Sequence, residues 1–289
     1  MKVVLVFHAN AGSGVAPETV KSHLHQNGYE VVHVCDSQPD LTAAAKTKAE
    51  MFVVAGGDGT VTRAAVALRG QPLPMAILPM GTANNIASTL GLIGPLPELM
   101  ASWKRAAWVK LDIGRLRGSQ PHRRFVESVG SGLITETIKA MDADPQARYR
   151  GPVEGERCVL ETYRNVLGRM PLRRVLVTVD DEIFVCDTLL FEVLNFNSVG
   201  SSVQLSASAK PDDGLFTIVW AEERQRDQLD AYFLARLAGK KEALDLPTRH
   251  GRHVRVSGLD CVHVDDEIRQ VQGQMLELLN EAGSVTVLV

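Results

Sequence analysis

The stretch "MFVVAGGDGTVTRAA", residues 51 to 65, sets an apolar run against three glycines and an acid, and then against a helix-like sequence. Residues 51–55 read as a buried strand, Gly56 and Gly57 allow a sharp turn and a close backbone approach, and Thr60 stands just before the apolar face of the next helix. Amides freed at such a helix start point outward and bind phosphate without a side chain. The Asp58 carboxylate beside them suits a hydrated magnesium ion or the orientation of an attacking hydroxyl. A plain structural turn uses the same glycines, so the neighbouring strands have to decide.

Apolar runs at 3–7, 29–34, 51–55 and 75–79 alternate with segments of helical period. Between the first two, "APETVKSHLHQNG" (16–28) places a proline early, Val20 and Leu24 four apart, and Gly28 beyond the end, which are helix start and stop signals. Consecutive buried strands joined by helices imply a parallel sheet. Two more polar glycine loops follow strands. "PMGTANNIASTLG" (79–91) has Gly81 at the turn, Thr82 as a potential cap, and Asn84 and Asn85 in the first helical turn. "HANAGSG" (8–14) brings Asn10, Ser13 and Gly14. Carboxyl-end loops of a parallel sheet share one edge, so the three converge on one site, and nucleotide binding is favoured over a structural turn. Neither the dinucleotide fingerprint nor the nucleoside-triphosphatase loop with its lysine-serine or lysine-threonine pair is present.

After residue 108 the pattern becomes antiparallel. "RVLVTVDDEIFVCDT" alternates Val175, Val177 and Val179 before a polar turn at 180–182, and strand-like pieces recur at 215–220, 253–258 and 261–267. One helix is expected among them, at 226–241, with Leu229, Tyr232, Phe233 and Leu237 on a core face. Residues 117–124 and 142–157 read as polar loops whose arginines are solvated. The fold class is α/β: a parallel-sheet nucleotide domain over 1–108, to which a final strand at about 283–289 returns, and an antiparallel β-rich substrate domain over 109–282.

A chain of 289 residues, 45% hydrophobic, buries a large core. With 31 basic against 34 acidic residues and no long basic run, nucleic acid is excluded as a partner. The four cysteines show no metal or disulfide spacing and fit a reduced, cytoplasmic interior. No apolar stretch reaches the roughly 18 residues of a spanning helix, so any meeting with a membrane is at its surface. His8, His33 and His263 lack zinc spacing and read as satisfied or surface histidines, Cys186 reads as a packing residue, and Ser128, Ser131 and Ser198 lack a hydrolase elbow.

The chain resembles the diacylglycerol kinase catalytic family, especially compact bacterial lipid kinases, a group that includes sphingosine-kinase-like enzymes and shares a superfamily with NAD kinases. Gly56-Gly57-Asp58-Gly59-Thr60 matches the central motif in full, and Pro79, Gly81, Thr82, Asn84 and Ala87 match the second loop. Asn10, Ser13 and Gly14 match the first, with Ala11 for the customary proline and Val15 for a basic residue. Asn85 stands where aspartate is common and Ser88 where arginine is. Asp213-Gly214 matches the Asp-Gly before a strand, with Ala207 for proline, and Asp265-Asp266-Glu267 matches a late Asp-Gly-Glu hairpin, with Asp266 for glycine.

The resemblance implies ATP and Mg2+ at the glycine loops, a cleft between two domains, and Glu267 as the base that takes the proton from a lipid hydroxyl. It further implies metal ligation by Asp58, and by Asp213 at a second, structural ion. The implied partners are a lipid alcohol such as diacylglycerol at the inner membrane surface and, as one option, a second copy in a homodimer. Two alternatives stand beside the ATP-dependent lipid kinase: a catalytically weakened nucleotide- or lipid-binding relative, motivated by Val15, Asn85 and Asp266, and an NAD kinase.

Overall fold

The computed structural model describes residues 1–7, 15–35, 38–44, 47–118, 122–144, 152–200, 203–240 and 242–289. The first glycine loop, with Asn10, Ser13 and Gly14, and His8 before it lie outside the described residues. Contacts divide the chain into two units, Met1–Ile113 with Glu281–Val289, and Gly114–Asn280.

In the first unit β1 (Lys2–Phe7), β2 (Glu30–Cys35), β3 (Met51–Gly56) and β4 (Met75–Pro79) run parallel in the order β2-β1-β3-β4. Helices α1 (Pro17–Gln26), α2 (Gln38–Ala44) and α3 (Asp58–Leu68) make the crossovers. All six residues of β3 are buried because helices and neighbouring strands cover both faces, whereas the edge strand β2 alternates. In α1, Pro17 occupies the first turn and Val20 and Leu24 are the buried pair. In α3 the buried residues Thr60, Val61, Ala64, Ala65 and Leu68 form one stripe. After β4 come the short α4 (Asn85–Thr89), α5 (Leu96–Ser102) and β5 (Trp108–Arg117).

The second unit holds β6 (Arg123–Phe125), β7 (Ser128–Gly132), α6 (Leu133–Asp142), α7 (Pro152–Leu167) and the hairpin β8 (Arg173–Val179) and β9 (Glu182–Thr188). It continues with β10 (Leu190–Leu194), the small ribbon β11 (Ser198–Val199) and β12 (Val203–Gln204), β13 (Phe216–Ala221) and α8 (Arg226–Leu237). β14 (Thr248–Gly251), β15 (His253–Ser257), β16 (Cys261–Val264), β17 (Glu267–Gln270) and the first residues of β18 (Leu276–Leu288) complete it, β18 passing into the first unit at Glu281. One sheet has the order β14-β13-β10-β7-β16-β17, and its neighbouring strands pair antiparallel. A second run, β18-β15-β8-β9, is antiparallel too.

Phe191, Val193, Val262 and Val264 from the first of these sheets share a core with Val175, Val177, Val179, Val254 and Val256. On the first sheet's other face, Leu190 and Leu194 pack with Leu133, Leu160, Tyr163, Leu229 and Phe233 of α6, α7 and α8. A sheet covered on both faces loses its alternation, and β10 is buried at all five positions.

Two expectations are corrected here. The reading of 142–157 as a loop fails from Pro152 onward, where α7 begins. Gly151-Pro152 resembles loop chemistry, but proline fits a helix's first turn, and Leu160, Tyr163 and Leu167 supply the buried stripe. α6 and α7 also make three helices of the one expected. The last residues of β18 pair in parallel with β4, Val287 beside Met75 and Leu288 beside Ala76.

Candidate active site

Two glycine loops close on one another at the carboxyl ends of β3 and β4. A Cβ on Gly81 would lie 2.5 Å from the Gly57 Cα, so only backbone fits between the loops. The Met80 amide donates to the Gly56 carbonyl at 2.9 Å, and a Cβ on Gly56 would meet the Thr60 side chain at 2.6 Å. Gly57 is the N-cap of α3, so Asp58, Gly59 and Thr60 lie inside its first turn, and the Thr60 amide donates to the Gly57 carbonyl.

In the second loop the cap is Asn84, held at φ 51, while Thr82 is exposed and Asn85 buried. The Asn84 side chain closes the loop on itself. Its Oδ1 accepts from the Gly81 amide at 2.8 Å and its Nδ2 donates to the Gly81 carbonyl at 2.9 Å. Asp58 supplies the helix-start anion that Asn84 does not, because its Oδ1 accepts from the Ile86 amide at 3.0 Å. Burial raises the Asp58 pKa, opposed by hydrogen bonds from the Ile86, Asn85 and Asn84 amides and its own. The central motif's acid therefore ties the two loops into one rigid edge.

In the second unit, β16 and β17 meet at a two-residue turn, Asp265-Asp266, with Val264 opposite Glu267. Asp265 takes the left-handed conformation at φ 53, whereas Asp266 keeps an ordinary φ, so an aspartate at 266 carries no backbone strain. The Asp265 carboxylate accepts from three consecutive amides: Val126 at 3.2 Å, Glu127 at 2.7 Å and Ser128 at 3.3 Å. Burial pushes its pKa up to about 6 against the pull of those amides.

Glu267 follows with its side chain 51% exposed, 2.7 Å from Arg123 Nη1 and ion-paired with Arg269 as well. Arg123, expected in a solvated loop, thus lies in β6 and holds the candidate base. Asp266, Glu267 and Arg269 form one side of a cavity of 740 Å³, and Ile138, Met141 and Tyr163 form another. Sequence patterning gave no sign of this cavity or of Arg123 beside Glu267, because both depend on elements far apart in the chain, whereas Arg269 stands two residues from Glu267 on the same strand.

Asp213 is exposed and its Oδ1 accepts from the Leu215 amide at 2.9 Å, an Asx turn leading into β13. Among the described residues, His33, Cys35 and Asp40 are the group of His, Cys, Asp or Glu side chains close enough to share an ion, within 4.8 Å. Neither Asp58 nor Asp213 belongs to it. Asp58, with Oδ1 committed to Ile86, fits a hydrated cation better than an inner-sphere one. The side-chain-free contact of Gly57 with Gly81 fits a phosphate-bearing ligand at the loop edge. Cys186 is a packing residue, buried, with its thiol pushed up to about 12.

Residues 2–116 match the diacylglycerol kinase catalytic domain. The chain is 26% identical over 278 residues to a diacylglycerol kinase of Mycobacterium tuberculosis, covering 92% of this chain and 88% of that one. It is 27% identical over 223 residues to a diacylglycerol kinase of Bacillus subtilis, 70% of this chain and 69% of that one. A crystal structure of a diacylglycerol kinase from Bacillus anthracis superposes with a TM-score of 0.71 at 17% identity, covering 99% of this chain and 96% of that one. These likenesses support the diacylglycerol kinase catalytic family for the chain, with residues 2–116 as the part that matches its catalytic domain.

Proposed function

We propose that the chain is an ATP-dependent lipid kinase that transfers the γ-phosphate to the hydroxyl of diacylglycerol or a related lipid alcohol. The observation that carries this reading is the 740 Å³ cavity with Glu267 on its wall and Ile138 and Met141 offering apolar surface to an acyl-bearing acceptor. In this reading Gly56, Gly57, Gly59, Thr60, Gly81, Thr82, Asn84 and Asn85 shape the nucleotide edge, joined by Asn10, Ser13 and Gly14. Asp58 holds a hydrated Mg2+, whose charge offsets that on the β- and γ-phosphates. Glu267 accepts the hydroxyl proton as the new bond to phosphorus forms. Asp213 serves a structural metal only by leaving its Asx turn.

Among the described residues no helix is long and apolar enough to cross a membrane, and in this reading the acceptor is met at a membrane surface. A weakened phosphotransferase is the second reading, favoured by the two arginines that hold Glu267 away from a neutral hydroxyl. Incubation of the purified chain with labelled ATP, Mg2+ and a lipid extract separates the two. Labelled phospholipid on a thin-layer plate is expected; bound but untransferred ATP supports the second reading.

A further inference from the structure

On the helix-covered face of the sheet lies a charged pair that the proposed chemistry does not use. His263 in β16 and Glu192 in β10 are 1% and 0% exposed, with Nε2 and Oε2 3.3 Å apart. Both stand opposite Gly130 of β7, the strand between them. A Cβ on Gly130 would lie 2.1 Å from the Glu192 carboxylate, so the missing side chain is what lets Glu192 reach across β7 to the ring.

The ring is tied on its other side as well. Thr135, in the first turn of α6, donates its hydroxyl to the Gly130 carbonyl at 3.1 Å, which leaves its oxygen to accept from His263 Nδ1 at 3.0 Å. Nδ1 therefore carries a hydrogen. Nε2 faces Glu192 and, at 3.3 Å, Ser128 Oγ. Nε2 and Oε2 thus stand at ion-pair distance with water excluded, where the attraction between ring and carboxylate is strengthened.

Burying two ionisable groups costs free energy that a hydrophobic pair avoids, so fold stability is a poor account of them. Their placement gives a better one. His263 precedes the Asp265-Asp266 turn, Ser128 donates its amide to Asp265, and Thr135 starts the helix that brings Thr137, Ile138 and Met141 to the cavity.

We propose that Glu192 and His263 are positioning residues that lock α6 to the β16–β17 hairpin and so fix the separation of two walls of the acceptor cavity. This rests on reading that cavity as the acceptor site.

The test uses the full chain with dioctanoylglycerol and ATP. In Glu192→Met/His263→Leu both charges go together, so the fold survives while the tie to Thr135 is lost. With a melting temperature near wild type, acceptor kcat/KM is expected to fall by about 10²-fold with the KM for ATP unchanged, as for a displaced reacting group. Hydrogen exchange should quicken at residues 137–141 and 264–268. Glu192→Gln, which keeps a bond to the ring, should lose far less. Thr135→Val, which deletes only the tie to α6, should raise the acceptor KM even if the double variant does not fold. Wild-type acceptor kinetics in Thr135→Val or in the folded double variant overturn the proposal. If the wild type phosphorylates no lipid, the functional reading fails instead, and unchanged exchange in the variants then rejects the positioning role by itself.

Discussion

Gly57 and Gly81 meet backbone to backbone, and neither tolerates a side chain: a Cβ on Gly57 would lie 3.0 Å from the Gly81 Cα, and one on Gly81 2.5 Å from the Gly57 Cα. Gly81→Ala must push the loops apart where no flexible side chain can yield. ATP affinity is expected to fall by at least about tenfold, or about 1.4 kcal/mol. Calorimetric titration of the folded variant checks this, and wild-type affinity contradicts it.

Asp58 both caps α4 and carries the charge assigned to magnesium. Asp58→Asn keeps an oxygen for the Ile86 amide and removes the charge, so phosphate transfer should nearly vanish while the melting temperature holds. Asp58→Ala should also lose about 1 kcal/mol of stability with the cap. Unchanged turnover of the asparagine variant at saturating magnesium removes the metal role.

Glu267→Gln should slow single-turnover transfer by about 10² to 10⁴ with ATP affinity retained. Its exposed ion pairs to Arg123 and Arg269 contribute little to the fold, about 0–1 kcal/mol, so the melting temperature should barely move. A variant that melts early yet turns over normally would reassign Glu267 to structure.

Asp265 makes stability pH-dependent. Its carboxyl titrates at about 6 in the fold, against an ordinary value of 3.8, so between these values the folded chain holds a proton that the unfolded chain has released. More protons on the native state means that its contribution to stability falls as pH rises through that window and is level above it. Asp265→Asn has no such proton. Urea melts should therefore show wild type losing stability relative to the variant from about pH 4 to about pH 6. A difference that stays flat or rises rejects the assignment.

The parallel unit was readable because its signals are local. Val20 with Leu24, the six buried residues of β3, and the glycines at 56, 57 and 81 each declare themselves within one element. The antiparallel fold showed in the alternation of Val175, Val177 and Val179. What escaped depends on partners distant in sequence. Asp58 reads in sequence as an acid for a hydrated magnesium ion or an attacking hydroxyl, and only the fold sets the Ile86 amide against it, 28 residues on. His263 looked like a surface or satisfied histidine, and nothing near it in sequence hints at Glu192. α7 was hidden by a glycine-proline pair whose loop chemistry was outweighed by the stripe at Leu160, Tyr163 and Leu167.

The pairing of Val287 and Leu288 with β4 bears on how the chain is made. As the polypeptide leaves the ribosome, β1 to β4 emerge well before the strand that covers β4, which follows the whole of the second unit in sequence. Until then β4 presents an open apolar edge, the kind of surface that recruits chaperones or stray strands. A protease cut or stop codon that removes Val287 and Leu288 therefore harms the unit built on β1 to β4, far from the lesion in sequence.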